Sequence, residues 1–123
     1  MPLSTFKPVL MIFSRKMNDI LEIFGGKDNL VIMCDAFDIE YKGDDSVSFS
    51  VKSVRADCRT YRVKVTKVTK VTEICRPAVF SPIPLFNIDI FDTLDSKEIS
   101  YLWLQPNKIR DIFYALTGLS LNF

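Results

Sequence analysis

The pattern that most constrains the fold is a two-residue alternation of apolar and polar side chains on both sides of one short turn. The turn is Lys42-Gly43-Asp44-Asp45, and the alternating apolar residues around it are Phe37, Ile39, Tyr41, Val47, Phe49 and Val51. Alternation of this kind is typical of strands with one buried face. A Gly-Asp turn between two such runs is typical of a hairpin. The sequence therefore predicts a half-buried antiparallel sheet.

The predicted sheet extends on both sides of this hairpin. Tyr61, Val63 and Val65 alternate with Arg62 and Lys64, which we expect on the opposite face of the strand. Further strands are predicted from short apolar runs, which are Leu30 to Met33, Leu85 to Phe91 and Ile99 to Leu104. The total is about six or seven strands.

Three consecutive Lys-Val-Thr triplets begin at Lys64 and end at Thr72. A three-residue repeat cannot keep one face of a strand apolar, because the side chains of a strand alternate with a period of two. We expect either a bulge near Thr66-Lys67 or an edge strand with outward Lys side chains in the later half of the repeat. Both devices end the growth of a sheet.

Helical periodicity occurs at both ends of the chain. In residues 6–24, apolar side chains recur at three- and four-residue spacing, namely Leu10, Phe13, Met17, Ile20, Leu21 and Phe24. Pro8 suits the first turn of this helix, and Gly25-Gly26 predicts its end. A second helix is predicted over residues 106–117, and Gly118 ends it. Its apolar stripe consists of Ile109, Ile112, Phe113 and Leu116.

The order of elements is a helix, then strands within residues 29–104, then a helix, and it predicts a single α+β domain over residues 1–123. Helices that do not alternate with strands exclude a doubly wound parallel fold. We expect a strongly bent antiparallel sheet or a small barrel of about six or seven strands, closed by the C-terminal helix. The element order resembles the pleckstrin-homology architecture, which is the leading topology. In contrast to such domains, the last helix lacks Trp, and Trp103 lies in the preceding strand.

The composition removes the parts that most familiar catalytic and metal sites require. The chain has no His, which excludes Ser-His-Asp and Cys-His sites and removes the commonest metal ligand. Cys34, Cys58 and Cys75 lack the close spacing of a zinc knuckle, and no glycine-rich phosphate loop occurs. Asp89 and Asp92 could contribute to a divalent-cation site, but a solvated surface is the favoured interpretation. We therefore expect a non-catalytic protein without a cofactor or a metal.

The chain has no apolar run near the roughly 20 residues that span a bilayer, and its first residues lack the features of a signal peptide. Its three cysteines are widely spaced and odd in number, which is typical of free thiols in a reducing compartment. We therefore expect an intracellular protein, in the cytoplasm or the nucleus, without a transmembrane segment.

The charge is distributed unevenly, although the net charge is only +1. Residues 52–76 contain eight Lys or Arg and two acids, whereas residues 27–45 contain six acids and two Lys. Stretches of a single sign attract partners of opposite charge. The cations that could bind an acidic protein or the phosphates of nucleic acid or phosphoinositide are Arg59, Arg62, Lys64, Lys67 and Lys70. The competing interpretation is an edge strand protected by Lys.

Apolar residues outside the main helical stripes indicate a surface for another protein. The candidate interface residues are Met11, Ile12, Ile23, Tyr114, Leu121 and Phe123. The leading hypothesis from the sequence is accordingly a protein–protein interaction or scaffolding domain. It would be a subunit of a larger complex or a homo-oligomer, and it would bind through a helix face or a sheet edge. A phosphate-recognising module is the alternative.

Overall fold

The computed structural model describes residues 14–34, 37–43, 45–68 and 84–120. In chain order these residues form two helices, five strands and a last helix. The helices are α1 (Arg15–Ile23), α2 (Lys27–Cys34) and α3 (Pro106–Thr117), and the strands are β1 (Phe37–Lys42), β2 (Ser46–Lys52), β3 (Thr60–Val68), β4 (Leu85–Asp92) and β5 (Lys97–Leu104). The fold class is therefore α+β, as the sequence predicts.

The five strands form one antiparallel sheet in the order β1-β2-β3-β4-β5, so each strand pairs with its neighbours in the chain. Over the described residues the sheet is open, with β1 and β5 as its two edges. Neither the barrel nor the pleckstrin-homology-like topology is confirmed. The same residues contain five strands, where the sequence predicts six or seven.

The alternation of side chains decides which face of the sheet carries the helices. The buried side chains of the three central strands are Val47, Phe49, Val51, Tyr61, Val63, Val65, Phe86, Ile88 and Ile90. Arg62 and Lys64 alternate with these residues and are exposed on the other face. The predicted hairpin is confirmed, with Tyr41 of β1 opposite Val47 of β2. Helix α1 covers β2 and β3, and α3 contacts β4.

Strand β3 stays regular through the first Lys-Val-Thr triplet and into the second. Thr66, Lys67 and Val68 pair in order with residues of β4. The bulge predicted near Thr66-Lys67 is therefore wrong, and β3 is the central strand. Lys67 faces the helices, where Asp19 of α1 compensates its positive charge. The Lys67 Nζ lies 2.6 Å from Oδ2 of Asp19. Residues 69–72, the rest of the repeat, lie outside the described residues.

Helix α1 begins later than the periodicity predicts. Ser14 is its N-cap, with an extended backbone, and its Oγ accepts a hydrogen bond from the Met17 N–H at 3.1 Å. A continuous helix over residues 6–24 is therefore wrong, because an extended residue interrupts it. Residues 6–13 lie outside the described residues. The predicted end at Gly25-Gly26 is confirmed, since both glycines have positive φ angles.

The apolar run Leu30 to Met33 is helical and belongs to α2. The Leu30 N–H donates to the Gly26 carbonyl at 3.0 Å, and Leu30 is buried while Val31 and Ile32 are exposed. The predicted strand is therefore wrong here. A short apolar run is compatible with a buried strand and with one side of a short helix, and periodicity cannot distinguish them.

Helix α3 confirms the prediction for residues 106–117, and Gly118 ends it with a φ of 80°. On its buried side, Phe113 packs against Phe24 and Phe49, with ring centroids 5.6 and 6.3 Å apart. Phe24 directly follows α1, and Phe49 lies on β2. This aromatic cluster holds α1 and α3 over the central strands. Strand β5 lies at the margin of the helical layer.

Candidate functional site

Strand β5 is the part of the sheet that the helices leave uncovered. Its register places Ile99 opposite Ile90 and Tyr101 opposite Ile88. Both β5 side chains therefore belong to the face that carries the helices. Ile88 and Ile90 are buried on that face, but Ile99 is 46% exposed and Tyr101 is 38% exposed. The helical layer ends at β4.

The apolar exposure continues on both sides of these two residues. Leu102 is 64% exposed and Trp103 is 60% exposed, and Leu94 in the preceding turn is 65% exposed. From Ile99 to Leu104 the strand has no charged residue. Soluble proteins rarely expose large contiguous apolar patches, and such patches mark interaction surfaces. The series of exposed apolar residues along β5 is thus the strongest functional signal in the described part of the chain.

A bulge interrupts β5 near its end. Asn87 of β4 faces two residues of β5, Leu102 and Trp103, instead of one. Trp103 has a φ of 58°, a left-handed conformation that costs a bulky L-residue roughly 1–2 kcal/mol. Its N–H donates to Asn87 Oδ1 at 3.0 Å. Strain of this kind clusters at functional sites, and here it coincides with the most exposed side chains of the strand.

An ionic cluster fixes the turn that leads into β5. Arg59 Nη1 lies 2.5 Å from Asp92 Oδ2 and 2.6 Å from Asp95 Oδ2, and Asp92 Oδ1 accepts the Leu94 N–H at 3.0 Å. Burial raises the pKa of Asp92, but the Leu94 N–H and Arg59 outweigh burial, so this pKa lies below its usual value. The hydrogen bonds to Asp95 and Asp92 raise the pKa of Arg59. The cluster therefore orders the beginning of β5.

The five cations that were candidates for phosphate binding do not form one surface. Arg59 is part of the ionic cluster beside β5. Lys67 lies on the opposite, helix-covered face and pairs with a carboxylate of α1. Arg62 and Lys64 are exposed on neighbouring outward positions of β3. Lys70 lies outside the described residues. The structure thus brings together two of the five.

Arg62 and Lys64 line an open groove of about 520 Å³ on the helix-free face of the sheet. This groove contains three cations and four carboxylates, the latter being Asp38, Glu40, Asp89 and Glu98. Lys64 has Asp89 as its direct cross-strand neighbour. The mixed charge lowers the attraction for phosphate relative to a purely basic surface.

Of the six candidate interface residues, the structure describes two, Ile23 and Tyr114, and only Tyr114 is exposed. Ile23 is 1% exposed and belongs to the core, so its assignment to an interface is corrected. Tyr114 is exposed on α3, where the Arg55 guanidinium lies 5.4 Å from its ring centroid. Arg55 also donates to the carbonyls of Tyr114 and Ala115, which caps the helix. Met11, Ile12, Leu121 and Phe123 lie outside the described residues.

The carboxylates considered for a divalent cation have other partners. Asp89 accepts the Ser100 hydroxyl at 2.6 Å, and Asp92 binds Arg59. Within the four described segments, no group of three or more Cys, Asp or Glu side chains is placed to hold a metal ion. No helix in the same segments has both the length and the apolar character needed to cross a membrane.

The sequence predicts the β5 strand but does not identify it as a site. A run such as Ile99 to Leu104 is equally typical of a strand covered on both faces. Its exposure follows from the position of β5 at the end of the sheet, beyond the reach of the helices. The one available signal was the absence of charge from six consecutive strand residues, which becomes informative only once the strand order is known.

Comparison with known proteins gave no relative. No protein-family model matches the chain, no curated protein matches its sequence, and no solved structure matches its fold.

Proposed function

We propose that this protein is a non-catalytic interaction domain that binds another protein chain along the β5 edge. The observation that carries the proposal is the uncovered apolar strand, with Ile99, Tyr101, Leu102 and Trp103 exposed at an edge of the described sheet. An extended segment of a partner can add to such an edge, because backbone hydrogen bonds supply affinity and side-chain contacts supply specificity. The β5 strand offers both kinds of contact.

The exposed side chains of β5 represent enough free energy to support association. A large apolar side chain contributes roughly 1.5–3 kcal/mol when it is fully buried. The exposed fractions of Ile99, Tyr101, Leu102 and Trp103 therefore correspond to roughly 3–6 kcal/mol. The loss of translational and rotational freedom on association costs about 4–15 kcal/mol. Measurable affinity thus requires the backbone hydrogen bonds of the edge in addition to apolar contact.

A location inside the cell belongs to the same proposal. Cys58 is an exposed free thiol, which is more compatible with a reducing compartment than with an oxidising one. The lack of His in the sequence supports a role without catalysis.

The phosphate-recognising alternative has weaker support. Of its five candidate cations only Arg62 and Lys64 lie together, and both line a groove that also contains Lys42 and four carboxylates. A phosphate ligand there would meet nearly balanced charge, and counterion release would contribute little to its affinity.

A photo-reactive amino acid at Leu102 tests the proposal in the cells that make the protein. Leu102 is largely exposed, so the replacement should leave the core intact. We expect a discrete cross-linked product, whose second component is identified by mass spectrometry. The matched control is the same photo-reactive residue at Glu40, which is exposed on the opposite edge of the sheet.

The identified partner should then bind the purified protein, and Leu102→Asp should weaken this binding by about tenfold, since a charge would replace an apolar contact. The proposal is wrong if neither position yields a specific product, or if both positions capture the same proteins.

A further inference from the structure

We infer that the partner at the β5 edge is a second copy of this chain, paired antiparallel about a two-fold axis that passes through Ile99. This inference rests on the proposed function and specifies its partner. A two-fold axis perpendicular to the sheet joins the same edge of two copies into one continuous ten-stranded sheet and keeps each face on its own side. Only residues of the same face are then opposite one another.

The sequence of β5 is self-complementary in this register. Residues whose numbers add up to 198 lie opposite each other, so Ile99 meets Ile99 of the second copy and Lys97 meets Tyr101. These contacts lie on the face that carries the helices, where an ammonium group beside an aromatic ring is favourable. On the other face Glu98 lies opposite Ser100, a carboxylate opposite a hydroxyl. This register opposes no two like charges, and it thereby avoids pairs that are destabilising in sheets.

The neighbouring symmetric registers are less favourable. An axis through Glu98 would place two identical carboxylates directly opposite each other. An axis through Ser100 would bring Leu102 and Trp103 into the new ladder, where the bulge and the left-handed backbone of Trp103 interrupt regular pairing. With the axis at Ile99, the regular part of β5 from Lys97 to Tyr101 forms the ladder, and the bulge lies outside it.

The other exposed apolar residues lie at the two ends of this ladder. Leu94 precedes it in the turn, and Leu102 and Trp103 follow it in the bulge. A standard interface buries about 800 Å² on each partner. An aromatic side chain can bury about 150–250 Å², so the exposed parts of Leu94, Ile99, Tyr101, Leu102 and Trp103 supply on the order of half of that area. Because the two strands are antiparallel, the turn with Leu94 in one copy lies at the same end of the ladder as the bulge with Leu102 and Trp103 in the other.

A charge-exchange experiment tests both the copy and the register. Ile99 is the residue that meets itself, so Ile99→Glu and Ile99→Lys should each oppose two like charges and weaken the dimer by at least about tenfold. An equimolar mixture of the two variants should recover association to within about threefold of the unchanged protein, because Glu then faces Lys. Sedimentation equilibrium of each protein and of the mixture measures this, and circular dichroism confirms that both variants are folded.

Glu40→Lys is the matched control, because it changes a charge on the opposite edge and should leave the dimer unchanged. The inference is overturned if the unchanged protein is a monomer at all accessible concentrations, or if the mixture associates no better than the single variants. A monomer that still yields one cross-linked product of a different protein from Leu102 would refute the second copy and retain the proposed function. If the protein is a monomer and Leu102 also yields no specific cross-linked product, both the second copy and the proposed function are refuted.

Discussion

Three of the six residues of β1 carry a charge, whereas β5 has eight residues and no charge after Glu98. On β1, Asp38, Glu40 and Lys42 are exposed, and Lys42 Nζ lies 3.1 Å from Glu40 Oε1. A short strand with outward charges is a poor template for another strand. One edge of the sheet is therefore protected against further pairing by its side chains, and the other edge has no such protection over most of its length.

Each edge strand contains one bulge, but the residues in the two bulges differ in how well they tolerate the left-handed backbone. Asp38 lies within the bulge of β1 and Trp103 within the bulge of β5, each with a φ of 58°. Asp adopts left-handed backbone more readily than a bulky residue. The β1 bulge is thus occupied by a suitable residue, while the β5 bulge holds a large aromatic side chain at higher conformational cost. We interpret the retained indole as part of the partner-binding surface.

The largest expected effect is a difference in the free energy of unfolding between substitutions in the covered part of the sheet and at its uncovered margin. Ile90 and Ile99 are cross-strand neighbours of identical chemistry, but Ile90 is buried and Ile99 is half exposed. Ile90→Ala should lower the free energy of unfolding by about 2–5 kcal/mol, as in other cores. Ile99→Ala should cost about 1–2 kcal/mol in the monomer, because less apolar area is lost. Urea denaturation at low protein concentration measures both, and equal losses would show that β5 is as well covered as β4.

The next effect concerns the two bulges. Trp103→Gly should raise the free energy of unfolding of the monomer by about 0.5–1 kcal/mol, since glycine removes the cost of the left-handed backbone at some expense in chain entropy. Asp38→Gly should change it by less than about 0.5 kcal/mol. Thermal and urea unfolding of the two variants tests this difference. A clear loss of stability in the Trp103 variant would mean that indole packing outweighs the strain.

The turn that orders β5 should make stability depend on pH. The pKa of Asp92 is lowered in the folded protein relative to about 3.9 in an unfolded chain. Its contribution to stability is therefore present above about pH 4 and is lost as the pH falls through the lowered pKa. Asp92→Asn should be less stable than the unchanged protein at pH 7, and the difference should vanish in acid. Arg59→Gln should weaken this pH dependence without abolishing it, because the Leu94 N–H also lowers the pKa of Asp92. A constant difference between Asp92→Asn and the unchanged protein at all pH values would contradict this role.

The smallest effect is expected on the helix-free face. Arg62→Gln combined with Lys64→Gln removes two exposed positive charges of β3 without opposing like charges, and it should alter the free energy of unfolding by no more than about 0.5 kcal/mol. Binding of a single-stranded oligonucleotide or of phosphoinositide vesicles should be weak before and after the change, with little dependence on salt. Strong, salt-sensitive binding that the double variant abolishes would favour the phosphate alternative over the β5 edge.

The predictions that succeeded depended on local patterns. The alternation around Lys42-Gly43-Asp44-Asp45 identified the β1–β2 hairpin, and the periodicity after Pro106 identified α3, because each pattern is long and flanked by matching turn or cap residues. The run Leu30 to Met33 was mistaken for a strand because four apolar residues cannot distinguish a strand from a short helix. The predicted first helix begins too early, because Leu10 and Phe13 continue the helical spacing of Met17 and Ile20 although Ser14 between them is the N-cap.

The site could not be predicted in the same way, because it depends on which residues meet in space. Arg59 and Lys67 contribute to a basic sequence, yet the structure pairs them with Asp92, Asp95 and Asp19. Two of the eight cations of the stretch are thus paired with carboxylates that are distant in the chain. Similarly, the composition of β5 is typical of a core strand, and only its position at the end of the sheet makes it a surface.

The order of the strands also has a consequence for how the chain reaches its fold. Each of the five described strands pairs with its sequence neighbour, so this sheet can form by successive local steps with a small loss of chain entropy. By contrast, the hydrogen bond from Arg110 Nε to the Ile23 carbonyl joins residues 87 positions apart. We therefore expect the last helix to dock against the first late in folding, after the rate-limiting formation of the sheet. Arg110→Ala should accelerate unfolding much more than it slows refolding in stopped-flow kinetics.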